Sequence, residues 1–388
     1  MRYIIVGIVI GGVIGVMLGT TVIAPRLDQS AKQIKAETPP PSSAEKPNQA
    51  LIATKPLLEL SRGGPEKPNV VWRMASTYPG DLPQLGSLAK RASENIWKVS
   101  NGGIEIKFYG PGSLVPTSEM FAAVASGAID AAYSSPGSWA HKEPALQLFS
   151  SVPFGPAPDE YLAWVYFGGG QELLNEIYHP HGIQSVLCGM IAPEASGWFR
   201  RTFTTPEDLS GLKMRTSGLG GKVLNKLGVE THTLNDADIF IALENKEIDG
   251  AEFSMPAIDL KLGLYYLADH YYFPGWHQPS SFFDLIINKD RWDALTKTKQ
   301  AQIEAVCGDN VRHGLAEGEA LQYEALKELT AKGVIIKRWP VAILSALEDA
   351  WEDVAVEEAA ADTKFREVWR SLSDFRKDYA IWQELARP

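Results

Sequence analysis

Three charged side chains in this sequence are candidates for chemistry: Arg215, Glu252 and Glu194. Arg215 ends an apparent buried strand, Leu212-Lys213-Met214, and is followed at once by a Ser-Gly helix start. Its planar fork of donors pairs two-pronged with a carboxylate, and a neighbouring helix N-terminus adds favourable dipole and free N–H groups. A structural salt bridge is the alternative role. Glu252 ends a short strand between Ala251 and Phe253 and requires a cation or donor once desolvated. Glu194 stands just before the strand-like Gly197-Trp198-Phe199. Two such acids converging on a cleft would suit a hard cation with oxygen ligands.

Other chemistries find little support. The chain has no G-x-S-x-G, H-E-x-x-H, Walker A or C-x-x-C pattern. Gly218-Leu219-Gly220-Gly221-Lys222 lacks phosphate-loop spacing and reads as a helix start. His179-Pro180-His181 lies in a Pro-bearing turn without a third ligand and reads as surface. A net charge of -10 argues against nucleic acid, which wants a basic face. The two cysteines, Cys188 and Cys307, are too few for a thiolate metal site. Two buried thiols are the expected state, with a single disulfide as the alternative.

The elements that must position these residues follow from periodicity. The 388 residues, 45% hydrophobic and 22% charged, suffice for two ordinary domains with packed cores. Val70 to Met74 reads as a strand. Leu85, Leu88, Ala92 and Ile96 recur at helical spacing, and Asn101-Gly102-Gly103 is a turn. Ile104 to Tyr109 alternates at period 2, so the unit is βαβ with a parallel sheet. An internal echo links Ala123-to-Pro136 with Ala242-to-Pro256: a helix end, an Ile-Asp turn, a short buried strand and a Pro-containing loop. In open α/β sheets ligands sit beyond the carboxyl ends of strands, and two such ends can face each other across a cleft. The alternative is a common supersecondary unit with chance identities. Beyond Arg291 the chain reads as mostly helical.

At the N-terminus, Ile4 to Ala24 is free of ionisable side chains and about long enough to span a bilayer. A cleaved signal would have a shorter apolar core, and the best cleavage candidate, Val22-Ile23-Ala24, is followed by Pro25. Residues 1–24 are therefore expected to be an uncleaved anchor with the remainder exported, and residues 25–68 a flexible linker rich in Pro, Gly and Ser.

Several stretches carry a family resemblance when taken in order: Phe167-Gly168-Gly169-Gly170, Gly197-Trp198-Phe199-Arg200, Leu212-Lys213-Met214-Arg215, Ile248-Asp249-Gly250-Ala251-Glu252-Phe253, Tyr271-Tyr272-Phe273-Pro274-Gly275-Trp276-His277 and Phe375-Arg376-Lys377. From about Val70 to Trp382 the chain resembles the solute-binding proteins of tripartite ATP-independent periplasmic (TRAP) transporters. It is most similar to the subgroup that binds small 2-oxo or 2-hydroxy carboxylates with a metal ion. The resemblance implies a two-lobed α/β fold of the periplasmic-binding-protein type, with a ligand cleft between the lobes, a long connecting helix and a helical C-terminal segment. It implies that Arg215 pairs with the ligand carboxylate, that Glu252 binds the metal (Ca or Na) through its side chain, and that Phe253 binds it through its backbone carbonyl. The subgroup usually has Trp at the Phe253 position and Gln at the Glu194 position. Two acids near an anionic ligand favour a divalent ion over Na⁺. Ser254-Met255-Pro256 replaces the usual Gly-Pro, which changes the expected ligand size. Tyr133, Trp139 and Gln278 are candidates for the pocket wall, with core packing as the alternative for the aromatics, and Tyr78 is a further one.

The lobes are expected at 69–190 with 278–319, and at 191–277 with 320–388 together with the C-terminal helices. The expected activity is capture without chemistry, in the periplasm, followed by delivery to TRAP membrane subunits driven by an ion gradient. A homodimer through the C-terminal helices is expected. The rivals are a ligand sensor for a signalling receptor and a metal-dependent enzyme acting on an oxo acid, for which no nucleophile or tuned base is evident.

Overall fold

The first strand of the folded part, β1 (Val70–Ser76), runs parallel to β2 (Ile104–Tyr109), with Val70 opposite Ile104. Helix α1 (Gly86–Val99) connects them. It buries Leu88, Ala89, Ala92 and Ile96 and stops where Gly102 N–H turns back onto the Trp97 carbonyl. This is the βαβ unit that the alternation predicted. The computed structural model describes residues 68–234 and 236–386. The expected anchor 1–24, and the expected linker 25–68 except for Pro68, lie outside the described residues. Among the described residues no helix is long and apolar enough to cross a membrane.

Two mixed sheets organise the chain. The first has the order β2-β1-β3-β10-β4, with β3 (Ala131–Ser134), β4 (Ile183–Ile191) and β10 (Ser281–Asn288). The second has the order β7-β6-β8-β5-β9-β11, with β5 (Gly197–Phe199), β6 (Lys213–Arg215), β7 (Glu230–His232), β8 (Gly250–Ala251), β9 (His270–Phe273) and β11 (Ile335–Arg338). Their cores share one plan, in which β2-β1-β3 and β7-β6-β8 are parallel triplets closed by an antiparallel strand.

The internal echo has a structural cause. Asp130 Oδ2 accepts from Arg73 N–H at 2.8 Å, and Asp249 Oδ2 accepts from Lys213 N–H at 2.9 Å. In both sheets the Ile-Asp turn buries its Ile and uses its Asp to fix the next strand against the preceding parallel one. The turn is the same device used twice.

The chain crosses between the sheets at residues 192–196 and 274–280. Helix α9 (Lys297–Ala331) makes a third link. Its 35 residues span about 52 Å at ~1.5 Å per residue. Asn310 at its middle donates to the Leu88 carbonyl at 3.1 Å, and Gln322 further along accepts from Ala257 N–H at 3.0 Å in α7 (Pro256–Leu262). Helix α10 (Val341–Ala361) packs on α5 (Gly218–Lys226) of the second sheet's side. Helix α11 (Thr363–Ala386) returns to α3 (Pro158–Phe167) and α4 (Gly170–Tyr178), where Ser371 Oγ accepts from Trp164 Nε1 and Arg376 pairs with Glu160, both at 3.2 Å. One buried cluster joins Phe149, Trp164 and Phe282 to Phe199, Met214 and Trp351, so the core continues from one sheet's side to the other's.

The cysteine expectation is corrected here. Cys188 in β4 and Cys307 in α9 form a disulfide, because helix and strand press two fully buried thiols together across 119 residues. Such a bond fits an oxidising compartment. Replacing both cysteines with Ser is expected to lower stability by about 2–4 kcal/mol, read as a lower urea midpoint with a steeper slope, because the uncrosslinked unfolded chain exposes more surface.

A second stability effect comes from Asp284, at a β-bulge in β10. It is fully buried and accepts from Tyr178 Oη at 2.7 Å and from Ser185 Oγ at 3.1 Å, while its other oxygen has no partner. Burial pushes its carboxyl up to about 7, against the pull of these hydroxyls. A pKa raised in the folded state favours the protonated form, so this contribution is full below about pH 4 and is lost as pH rises through 7. Between pH 5 and 8 the native chain is expected to lose stability on the order of a few kcal/mol relative to Asp284→Asn. Parallel denaturation profiles for the two proteins would refute this.

Candidate functional site

The carboxyl ends of β3, β6 and β8 point at one cavity of about 370 Å³, walled by residues from both sheets' sides. This is where an open parallel sheet leaves strand ends free to hold a ligand. Arg215 ends β6, directly opposite Ala251 of β8, so the next residue, Glu252, lies within reach of its fork. Arg215 Nη1 donates to the Glu252 carbonyl at 2.6 Å and to Glu252 Oε2 at 3.3 Å. The guanidinium also lies 5.6 Å from the centre of the Phe253 ring, a cation–π distance. Both charged side chains are mostly buried, with 12% and 13% of their surface exposed.

Glu194 and His277 come from the two crossing segments. Gly275 N–H donates to the Glu194 carbonyl at 3.0 Å, and a Cβ at Gly275 would sit 2.2 Å from that oxygen. Only glycine lets the segments approach this closely. Glu194 Oε1 accepts from Ser254 Oγ at 2.8 Å. His277 Nε2 is 3.7 Å from both Glu194 Oε2 and Glu252 Oε1, too long for a hydrogen bond, and makes none. Below the cluster Asp259, fully buried, accepts from Trp198 Nε1 and Tyr271 Oη at 2.8 Å and from Ser254 N–H at 3.1 Å, which fixes the loop after Glu252. Burial pushes Asp259 up to about 7.

The electrostatics follow from burial and mutual charge. Burial raises the Glu194 carboxyl above its ordinary range, and His277 only partly offsets this. Burial also pushes Glu252 up, but Arg215, His277 and Thr216 together outweigh it and hold the carboxyl low. Burial alone would lower His277, yet the two carboxylates facing it push it up to about 9.

One ligand atom from each of Glu194, Glu252 and His277 can lie within 4.8 Å of the others. The two carboxylates are hard oxygen donors that fit a cation, whose charge would take the place of the protonated His277 now facing them.

Of the residues expected from sequence, Arg215, Glu194, Glu252, Phe253, Gln278 and Tyr78 line the cavity. Tyr133 and Trp139 do not. Tyr133 is fully buried, stacked on Phe283 at 5.9 Å, and Trp139 is buried against Phe121 at 5.8 Å. All four residues of β3 are buried, so its side chains enter the core and the wall begins only beyond its end, at Ser135. Sequence reasoning missed His277, although its motif was noticed. Its role depends on distances to acids far away in the chain.

The chain belongs to the bacterial extracellular solute-binding protein family 7, whose model matches residues 74–362. A relative named as a monocarboxylate 2-oxoacid-binding periplasmic protein, from a Nostoc species, is 33% identical over 82% of this chain and 87% of its own. A TRAP transporter solute-binding protein of Bordetella bronchiseptica, solved as a dimer with calcium and picolinate, is 32% identical (TM-score 0.79), covering 82% of this chain and 95% of that one. Another from Pseudoalteromonas atlantica, with bound sodium and pyruvate, is 29% identical (TM-score 0.78) over 83% and 97%. The chain is thus an extracytoplasmic solute-binding protein of the two-lobed α/β type.

Proposed function

We propose that this protein captures a small 2-oxo or 2-hydroxy carboxylate together with a metal ion and delivers it to TRAP membrane subunits, without chemistry of its own. The supporting observation is the convergence of Arg215 with Glu194, Glu252 and His277 on a single cavity walled from both sheets' sides. Arg215 pairs with the ligand carboxylate. Glu252, the Phe253 carbonyl and Glu194 hold the cation, with His277 beside them, and Gln278 borders the ligand. The cation would neutralise the acids and bind the ligand's oxygens. Two carboxylates in this set favour Ca²⁺ over Na⁺. Ligand contacts from both sheets' sides favour the closed arrangement by differential affinity.

The test is a thermal-shift screen of the purified full-length chain against 2-oxo, 2-hydroxy and simple carboxylic acids, with and without Ca²⁺ or chelator. A ligand that binds the native state must raise apparent stability. A shift for one acid class that needs the cation supports the reading, and no shift with any acid overturns it.

Two finer features belong to the same proposal. The N-terminal segment 1–24 anchors the protein to the membrane, which fractionation tests: a soluble product beginning near residue 25 would refute it. The chain forms a homodimer through its C-terminal helices, because Ile381, Trp382 and Leu385 expose 62%, 63% and 79% of their surface on one side of α11. Light scattering is expected to give twice the chain mass, and a monomer mass would refute it.

A further inference from the structure

The cavity's charges are gathered in one cluster. Among its described lining residues, the only Arg, Lys, Asp or Glu side chains are Arg215, Glu194 and Glu252. On the first sheet's side the wall sets neutral hydroxyls and an amide, from Ser135, Ser138, Gln147, Ser150, Ser151 and Ser281, beside the apolar Leu85, Ile191 and Phe283. The hydroxyl and amide residues come from the loop after β3, the turns that follow it, and the first residue of β10. They form connected chains. Ser135 bonds to Ser150, whose hydroxyl is 3.2 Å from Ser281; Ser151 donates to the Gln278 side-chain carbonyl; and Thr77 donates to Ser134 at 2.7 Å, which donates to Ser138 at 2.9 Å. A hydroxyl has one donor and two acceptor lone pairs, so serines already linked in this way keep capacity for a partner that both donates and accepts.

Size points the same way. A cavity of about 370 Å³ falls in the ordinary range of small-molecule pockets, with room for more than a three-carbon acid. A three-carbon 2-oxo acid has six non-hydrogen atoms, and three of its oxygens would be engaged at the arginine and cation end. Its methyl group could rest on the apolar side chains but would leave the wall's hydroxyls without a ligand partner. A tail with a second carboxylate or an ammonium would find no opposite charge there.

We infer that the cargo is a monocarboxylate carrying a neutral, hydroxylated tail of several carbons, read by the serine and glutamine wall. This rests on the carboxylate-capture reading above and narrows its ligand class. Gln147 reaches the second sheet's side: a Cβ at Gly218, whose φ is +61°, would come within 3.3 Å of its Oε1. A hydroxylated tail therefore touches the wall where the two sides already approach each other.

The experiment measures affinities of the full-length chain, with Ca²⁺ present, for pyruvate, 2-oxohexanoate, gluconate and 2-oxogluconate. A hydroxylated six-carbon acid is expected to bind at least tenfold tighter than either pyruvate or the apolar 2-oxohexanoate. Replacing exposed Ser138 and half-buried Ser151 with Ala is expected to weaken the hydroxylated acid at least fivefold more than pyruvate. Tightest binding by pyruvate or 2-oxohexanoate, or an equal loss for all acids in the double variant, would overturn this inference. If that binding were still lost in Arg215→Ala, the carboxylate-capture reading would stand. Absence of binding by any acid would overturn both.

Discussion

Arg215→Ala is expected to abolish carboxylate-induced stabilisation in a thermal-shift assay, with affinity falling by about 2–5 kcal/mol, from roughly thirtyfold to several thousandfold. The size follows from position. Arg215 is mostly buried, is held to Glu252 by two hydrogen bonds, and is the only Arg or Lys among the described residues of the cavity. Truncation removes the two-pronged partner of the ligand's charge and one of the two cationic side chains facing Glu252, leaving His277 as the other. Arg215→Lys is expected to fall between the two, because it keeps the charge and loses the planar fork. Circular dichroism should show that both variants remain folded. An Ala variant that binds as tightly as the native chain would remove the arginine from the site.

The second large effect concerns the cation. Stripping the purified chain with chelator is expected to weaken carboxylate binding at least tenfold, with recovery on adding Ca²⁺. Glu252→Gln is expected to abolish that recovery. Glu194→Gln is expected to weaken Ca²⁺ roughly ten- to hundredfold while narrowing the gap to Na⁺. A unit charge near 5 Å at an effective dielectric of about 20 is worth about 3 kcal/mol, and the raised affinity of Glu194 for its own proton offsets part of this. Calorimetry of Ca²⁺ binding at fixed ligand, with elemental analysis of the purified protein, checks both statements. Ligand affinity that ignores chelator would show that His277, facing both acids, compensates them unaided.

Much of this was legible in the residues. The period-2 run from Ile104 to Tyr109 and the helical spacing of Leu88, Ala92 and Ile96 fixed the first βαβ unit, because burial of one face imposes the period of its element. The repeated Ile-Asp turn marked strands at matching places in two sheets, because an Asp that caps the neighbouring strand's N–H is a local requirement. Arg215 and Glu252 stood out as charges placed at strand ends.

What the sequence alone determined about this protein is therefore its α/β class, its division into two sheets and the charged residues at the strand ends. Tertiary structure alone decided which residues meet. Tyr133 and Trp139 turned into the core because every side chain of β3 is enclosed. Cys188 and Cys307 became a disulfide because α9 lies against β4. His277 joined Glu194 and Glu252 because two crossing segments touch at Gly275. Local periodicity records burial, which each element carries in its own residues, whereas contacts between residues distant in the chain depend on how those elements pack.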